Sequence, residues 1–152
     1  MSPNSPASID PSLAGLPCFN LYLGWRRIQA FYKPHFEGPV NPPRMYLLEL
    51  LRPHPKDGLT VGELATAMDL DAGTVSGMLS RMQAEGWIER RRCPEERRRV
   101  QVVLTPTGTE VCTRNEAHLR RADEALHARL GPADLAALQR INDQLGELLA
   151  KP

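Results

Sequence analysis

The stretch from residue 59 to residue 105 limits what this chain can fold into more than any other part. It contains two short helical patterns joined by a tight turn, and then two β-type runs on either side of an arginine-rich loop. Thr60 and Glu63 form the T-x-x-E pattern of a capping box, which predicts a helix that starts at Thr60. The apolar positions that follow have the spacing of one helical stripe: Leu64, Ala65 and Met68.

The second helical pattern, predicted from about Asp71 to Glu85, has one apolar face and one polar face. Asp71 suits the N-cap of this helix, and Gly86 suits the position that follows its end. The inward stripe consists of Val75, Met78, Leu79 and Met82. The outward residues are small, hydroxylated or cationic: Thr74, Ser76, Gly77, Ser80 and Arg81. Such a face suits a helix that lies in the major groove of DNA.

A basic hairpin is predicted after the second helix, with strands at residues 87–90 and 100–104. From Arg90 to Arg99 there are six Arg against two Glu, a local net charge of +4 in a chain whose net charge is +1. A charge run alone is more often a solvated surface, and the charge of the whole chain does not indicate nucleic acid. The order of parts decides between these alternatives, because a helix-turn-helix followed by a basic hairpin is a winged helix.

These segments resemble the MarR family of bacterial transcription regulators. The residues that carry the resemblance are LDAGTVS at 70–76, LSRM at 79–82, GWI at 86–88, ERR at 96–98 and LTPTG at 104–108. The resemblance implies a mainly helical, dimeric fold with a winged helix at about 44–105 and dimerisation helices at about 16–36 and 106–150. It also implies a homodimer that binds pseudo-palindromic double-stranded DNA.

The resemblance assigns further DNA contacts to the wing. Arg98 occupies the position of the family's wing tip, where the arginine enters the minor groove, and Glu96 stands where the family usually has Asp. Its neighbours Arg97 and Arg99 are expected to contact phosphate. With Thr60 and the outward residues of the second helix, these arginines complete the predicted DNA-binding set.

The segments outside the winged helix are also predicted to be helical. Residues 1–15 are rich in Pro, Ser and Asn and are predicted to form a flexible arm. A helix is expected from Pro17 to Tyr32, and a short buried helix from Met45 to Leu51. Two long amphipathic helices follow the wing, separated by Gly131-Pro132. The first helix and this last pair are too apolar to remain uncovered, so a two-fold dimer is expected.

Cys18 is the residue with the most distinctive surroundings near the start of the chain. Leu16-Pro17-Cys18-Phe19, with Tyr22 and Tyr32-Lys33-Pro34, resembles the branch of the family that senses organic hydroperoxides through a thiol. The positive end of the helix dipole favours a thiolate in the first turn. Tyr32 is about 21 Å further along the helix axis, so only Tyr32 of a second copy is expected to reach Cys18. The alternative is that Cys18 is a small buried hydrophobe.

The sequence also bears on functions other than a redox-sensing DNA-binding regulator. No C-x-x-C, G-x-S-x-G or H-E-x-x-H motif is present, and the four His are scattered, so no enzyme, metal or cofactor is predicted. A regulator released by a small aromatic ligand is the main alternative, with Trp25, Met45 and Tyr46 as lining residues. A winged helix that binds no DNA is disfavoured by Arg81 and the basic wing. Three widely spaced Cys and no long apolar run predict a cytoplasmic protein with no membrane partner.

Overall fold

The computed structural model describes residues 11–93, 96 and 99–150. The helical elements of this part are α1 (Pro11–Ala14), α2 (Pro17–Tyr32), a 3-10 turn (Lys33–His35), α3 (Pro42–Leu51), α4 (Val61–Met68), α5 (Ala72–Ala84) and α6 (Pro106–Ala150). The strands β1 (Ile88–Arg92) and β2 (Val100–Leu104) pair antiparallel between α5 and α6. The predicted mainly helical fold with a winged helix-turn-helix is therefore confirmed.

The predicted ends of α4 and α5 are present. The Thr60 side chain accepts a hydrogen bond from the Glu63 amide at 3.2 Å, and Glu63 accepts one from the Thr60 amide at 2.7 Å. Asp71 caps α5 by accepting from the Thr74 amide at 2.8 Å. Asp69, with a φ of 52°, ends α4, and Gly86, with a φ of 76°, follows α5. Local capping chemistry thus sets the bounds of both helices.

The core lies between α3, α4, α5, the hairpin and the first turns of α6. Its largest fully buried apolar side chains are Met45, Leu47, Leu48, Leu51, Leu64, Val75, Leu79, Met82, Ile88, Val102 and Val103. The predicted inward stripe of α5 is buried at Val75, Leu79 and Met82, whereas Met78 is half-buried against the core. Burying a side chain of this size contributes about 1.5–3 kcal/mol.

Two predicted boundaries are wrong by a few residues. Helix α3 begins at Pro42 and not at Met45, because Asn41 caps it and two prolines fill its first turn, where no amide partner is required. Strand β1 is shifted from 87–90 to 88–92. The Trp87 amide donates to Met82 of α5 and so stays outside the ladder. At the other end, the Cys93 amide donates to the Arg99 carbonyl and prolongs the pairing.

The outer helices differ from this core. Helix α2 has no buried residue, and α6 is interrupted at Gly131, with φ 74° and ψ 165°, at the predicted break. Five of the large apolar residues beyond the break are exposed: Leu138, Ile141, Leu145, Leu148 and Leu149. Residues 1–10 of the predicted arm lie outside the described residues, and α1 occupies most of the remainder. Within the described ranges, no helix is long and apolar enough to cross a membrane.

Candidate nucleic-acid interface

Helix α5 presents the predicted polar face to solvent. Thr74, Gly77, Ser80 and Arg81 are exposed, and Ser76 is half-buried. The structure shows neither a hydrogen bond nor an ion pair for the Arg81 side chain within the described residues. Its guanidinium is therefore available to an external acceptor, which is the property required of a side chain that reads a base edge.

Among the predicted hydroxyl contacts, those of Thr60 and Thr74 donate to carboxylates of their own chain. Thr74 Oγ1 donates to Asp71 Oδ2 at 2.6 Å, and Thr60 Oγ1 donates to Glu63 Oε2 at 2.9 Å. Hydrogen bonds from the Thr74 side chain and amide lower the pKa of Asp71. Those from the Thr60 amide and hydroxyl, aided by Arg99, lower the pKa of Glu63. At neutral pH both hydroxyl protons are therefore donated to carboxylates. Toward an outside partner, each hydroxyl oxygen is available as a hydrogen-bond acceptor.

The arginines of the wing have different surroundings. Arg99, the residue before β2, places its Nη2 3.2 Å from Glu63 Oε1 and so connects the hairpin to the capping box of α4. Arg91 pairs with Glu89 on its own strand. The exposed Arg92 has no partner in the described part of the chain. Arg97 and Arg98, both predicted DNA contacts, lie outside the described residues. The described cations of the wing are thus partly used to join it to the helices.

Cys18 lies on the surface of the chain as the second residue of α2, directly after Pro17. Tyr22, one turn later, is 56% exposed, and its ring stacks on Phe19 with 6.3 Å between the ring centroids. No hydrogen bond joins the Cys18 sulfur to any described residue. Within one chain, Cys18 is therefore neither a buried hydrophobe nor in contact with a tyrosine hydroxyl.

Tyr32 lies at the other end of α2 and contacts a residue that sequence analysis missed. Its hydroxyl donates a hydrogen bond to Asp123 of α6. Partial burial, and then this hydrogen bond, raise the pKa of the Tyr32 phenol above its ordinary value. The phenol is therefore a neutral donor at physiological pH. The two residues are 91 positions apart, and no local pattern indicates such a pair.

The other two cysteines have different environments. Cys112 is fully buried in α6, where desolvation, and then the charge of Glu49, raise its pKa to about 11. Its thiol is protonated and shielded, which makes it a poor nucleophile. Cys93 is half-buried at the end of β1. Of the three cysteines, Cys18 is the most exposed.

Two cavities lie beside α3, between the winged helix and the outer helices. The larger, of about 720 Å³, is lined by Trp25, Pro43, Tyr46, Glu49, Leu50, Ala67, Met68 and Leu70. The smaller, of about 170 Å³, is lined by Tyr32, Phe36, Pro42, Met45, Tyr46, Glu49, Leu119 and Asp123. Burial and the nearby Asp123 raise the pKa of Tyr46. Of the three residues predicted to line a ligand pocket, Trp25 lines the larger cavity, Met45 lines the smaller one and Tyr46 lines both. The described residues contain no group of three or more His, Cys, Asp or Glu that fits a metal ion.

The winged-helix region matches a known family. The profile of the MarR family covers residues 39–99. Over 92 residues the chain is 37% identical to the organic hydroperoxide resistance transcriptional regulator of Bacillus subtilis. The winged-helix region of this chain is thus similar to the MarR family. The alignment to the Bacillus regulator covers 60% of this chain and 61% of the relative, so the chain spans less than two-thirds of that relative's length.

Solved structures of transcriptional regulators share the fold of this chain. One is PcaV from Streptomyces coelicolor in complex with its natural ligand, at a TM-score of 0.79 and 21% identity, with 93% of this chain and 97% of that chain covered. Another is the repressor CouR bound to a 23-mer DNA duplex, at a TM-score of 0.74 and 23% identity. This likeness covers 90% of this chain and 96% of the CouR chain. At these identities the likeness concerns the fold, which extends over α2 and α6 as well as the winged helix.

Proposed function

We propose that this protein is a sequence-specific transcription regulator of the MarR family, a repressor, that binds pseudo-palindromic double-stranded DNA as a homodimer. The observation that carries the proposal is the exposed polar face of the capped helix α5, next to an arginine-rich hairpin. The guanidinium of Arg81, which has no partner among the described residues, lies on that face. CouR, which shares the fold, is bound to a DNA duplex.

Binding to the DNA upstream of the protein's own gene tests the proposal. Fluorescence anisotropy on that duplex is compared with a shuffled duplex of equal composition. Arg81→Ala is expected to cost about 1–3 kcal/mol, because it removes a hydrogen bond to a base edge. Arg129→Ala, an exposed arginine on α6, is the matched control and should change little. Equal affinity of the wild type for both duplexes would contradict specific binding, and an unchanged affinity of Arg81→Ala would mean that Arg81 does not touch the DNA.

The wing is proposed to contribute charge, with Arg98 in the minor groove and its neighbours on phosphate. Arg91 is paired with Glu89, so its charge is partly neutralised. Arg98→Ala should therefore weaken binding more than Arg91→Ala. Removing one arginine–phosphate interaction should lower the slope of log affinity against log salt by about 0.9. Equal effects of the two substitutions would mean that the wing contributes only a general positive charge, with no specific contact at Arg98.

The exposed surfaces of α2 and α6 support the proposed homodimer. Apolar side chains on both helices face solvent in one chain, including Leu21 and Trp25 of α2 and Ile141 and Leu145 of α6. A second copy is the partner that covers both at once and presents two α5 helices to two half-sites.

The release signal is proposed to be oxidation of Cys18. An organic hydroperoxide transfers its distal oxygen to the Cys18 thiol, giving the sulfenic acid and releasing the corresponding alcohol. The exposed position of Cys18 in the first turn of α2 supports this step, as does the likeness to a regulator of organic hydroperoxide resistance. The reaction consumes one equivalent per chain, so no enzymatic turnover is expected. The larger, polar sulfur group then shifts α2 and changes the spacing of the two α5 helices.

Three variants test the sensor. Cys18→Ser should keep DNA binding and lose the response to cumene hydroperoxide. Tyr32→Phe should slow oxidation, because in the dimer its hydroxyl is proposed to exchange its hydrogen bond to Asp123 for one to the Cys18 thiolate of the other copy. Asp123→Asn is the matched control, since it weakens the Tyr32–Asp123 hydrogen bond but keeps the hydroxyl. If Cys18→Ser still releases DNA on oxidation, the thiol is not the sensor. If Asp123→Asn slows oxidation as much as Tyr32→Phe, the link from α2 to α6 explains the effect.

A small aromatic acid or phenol is the second candidate signal. The cavity of about 720 Å³ has the size of a small-molecule site, with Trp25 and Tyr46 in its wall. PcaV, which shares the fold, was crystallised with its natural ligand. Release of DNA from Cys18→Ser by 4-hydroxybenzoate, with loss of that release in Tyr46→Ala, would favour the ligand over the thiol.

A further inference from the structure

Arg90 of β1 reaches back to α5 through both ends of its guanidinium. Its Nη1 donates to Gln83 Oε1 at 2.7 Å. Its Nη2 lies 3.3 Å from the Ser76 carbonyl oxygen and 3.4 Å from Ser80 Oγ. Ser80 Oγ in turn donates to the same Ser76 carbonyl at 2.9 Å. One guanidinium is thus held by three acceptors that belong to a single helix.

These acceptors occupy one edge of α5. Residues 76, 80 and 83 are separated by four and three positions, so they form one ridge along the helix. The exposed residues Thr74, Gly77 and Arg81 form the neighbouring ridge at similar spacing. A Cβ added at Gly77 would meet no atom within 4 Å. The polar face of α5 is therefore divided into a ridge that the wing occupies and a ridge that is open.

We propose that Arg90 is a positioning residue that sets the angle between the wing and α5, and that Ser76, Ser80 and Gln83 are its docking ridge. Base reading is then left to the open ridge of Thr74, Gly77 and Arg81. This assignment rests on the proposed DNA-binding function and refines it, since it removes Ser76 and Ser80 from the residues that read bases. It also separates Arg90 from the arginines that contact phosphate.

Lysine substitution distinguishes positioning from phosphate contact. Lysine keeps the positive charge but has a compact ammonium in place of the planar fork that joins three acceptors. A phosphate contact tolerates this exchange, whereas the clamp to α5 does not. Arg92→Lys is the matched control, because Arg92 ends the same strand, is exposed and has no partner among the described residues.

The experiment measures affinity for the protein's upstream duplex with both lysine variants. Arg90→Lys is expected to weaken binding about tenfold or more, in line with the loss of charge-assisted hydrogen bonds, with the salt slope unchanged. Arg92→Lys should stay within about twofold, because its charge persists. Wild-type affinity of Arg90→Lys, or equal losses in both variants, would overturn the proposal.

A double-mutant cycle separates positioning from a loss of stability. If Arg90 aligns the open ridge, Arg81→Ala should cost much less in Arg90→Lys than in the wild type, because the interaction of Arg81 with DNA is already impaired. Additive effects would contradict positioning.

Hydrogen exchange measured on the free protein tests the position of the wing without DNA. The hairpin amides should exchange faster in Arg90→Lys and not in Arg92→Lys. If the wild type binds no DNA specifically, the proposed function fails, and this exchange result still decides whether Arg90 holds the wing to α5.

Discussion

In the winged-helix unit, from α3 to β2, most of the large apolar side chains are buried in one core, whereas several on α2 and most on α6 beyond Gly131 are exposed. Leu79 of α5 is 0% exposed, while Trp25 of α2 is 44% exposed and Leu145 of α6 is 37% exposed. Exposed apolar surface of this extent marks an interaction site in a water-soluble protein. We infer that the winged-helix unit is complete within one chain and that the outer helices require a second copy.

The largest expected effect comes from the core of the winged-helix unit. Leu79→Ala should lower the free energy of unfolding by about 2–5 kcal/mol, because it leaves a cavity among fully buried side chains. Urea unfolding at several protein concentrations measures this loss, which should not depend on concentration for a unit complete within one chain. A loss below about 1 kcal/mol would mean that the core collapses around the site and is less closely packed than its burial indicates.

The outer helices should respond through association. Leu145→Glu should weaken the dimer by about 1–3 kcal/mol or more, since it places a charge in an apolar interface. Gln144→Glu adds the same charge at the adjacent exposed polar position and is the matched control. Sedimentation equilibrium measures both dissociation constants. Wild-type protein that remains monomeric at micromolar concentration would contradict the dimer.

The same contrast explains how far the sequence was informative. The capping box at Thr60 and the N-cap at Asp71 are local signals, and both predicted the observed helix starts. The start of α3 was missed because its signal, Asn41 before two prolines, also suits a loop. The contact of Tyr32 with Asp123 and that of Arg90 with α5 depend on how distant elements pack. Neither has a periodic or capping signature in the sequence.

Gly77→Ala should change folding and DNA binding in opposite directions. Glycine inside a helix costs about 0.5–1 kcal/mol relative to alanine, and an added Cβ at Gly77 meets no protein atom within 4 Å. The variant should therefore be more stable by about that amount and bind DNA more weakly, if a base or the sugar-phosphate backbone approaches Gly77 closely. Thermal unfolding and anisotropy measure the two effects. Unchanged DNA affinity would place Gly77 outside the contact surface.

The smallest effect concerns the caps of α4 and α5 in acid. The pKa values of Glu63 and Asp71 are lowered in the folded protein, so both carboxylates stabilise it above their unfolded pKa values, about 4.3 and 3.9. This stability is lost as the pH falls through the folded pKa values. Asp71→Asn keeps an N-cap that does not titrate. The variant should therefore lose less folding stability than the wild type as the pH falls. Circular dichroism measures the stability of both proteins against pH. If the two curves run parallel, Asp71 does not contribute to the loss of stability in acid.

The most direct test of the central claim is the stoichiometry and spacing of the DNA complex. Two copies held by α2 and α6 should bind one duplex, with half-sites about 34 Å apart, near one helical turn. Sedimentation of the complex should therefore give two chains per duplex. Inserting about five base pairs, half a helical turn, between the half-sites should abolish specific binding, because the second half-site then faces the opposite side of the helix. One chain per duplex, with an affinity that the insertion leaves unchanged, would contradict the account.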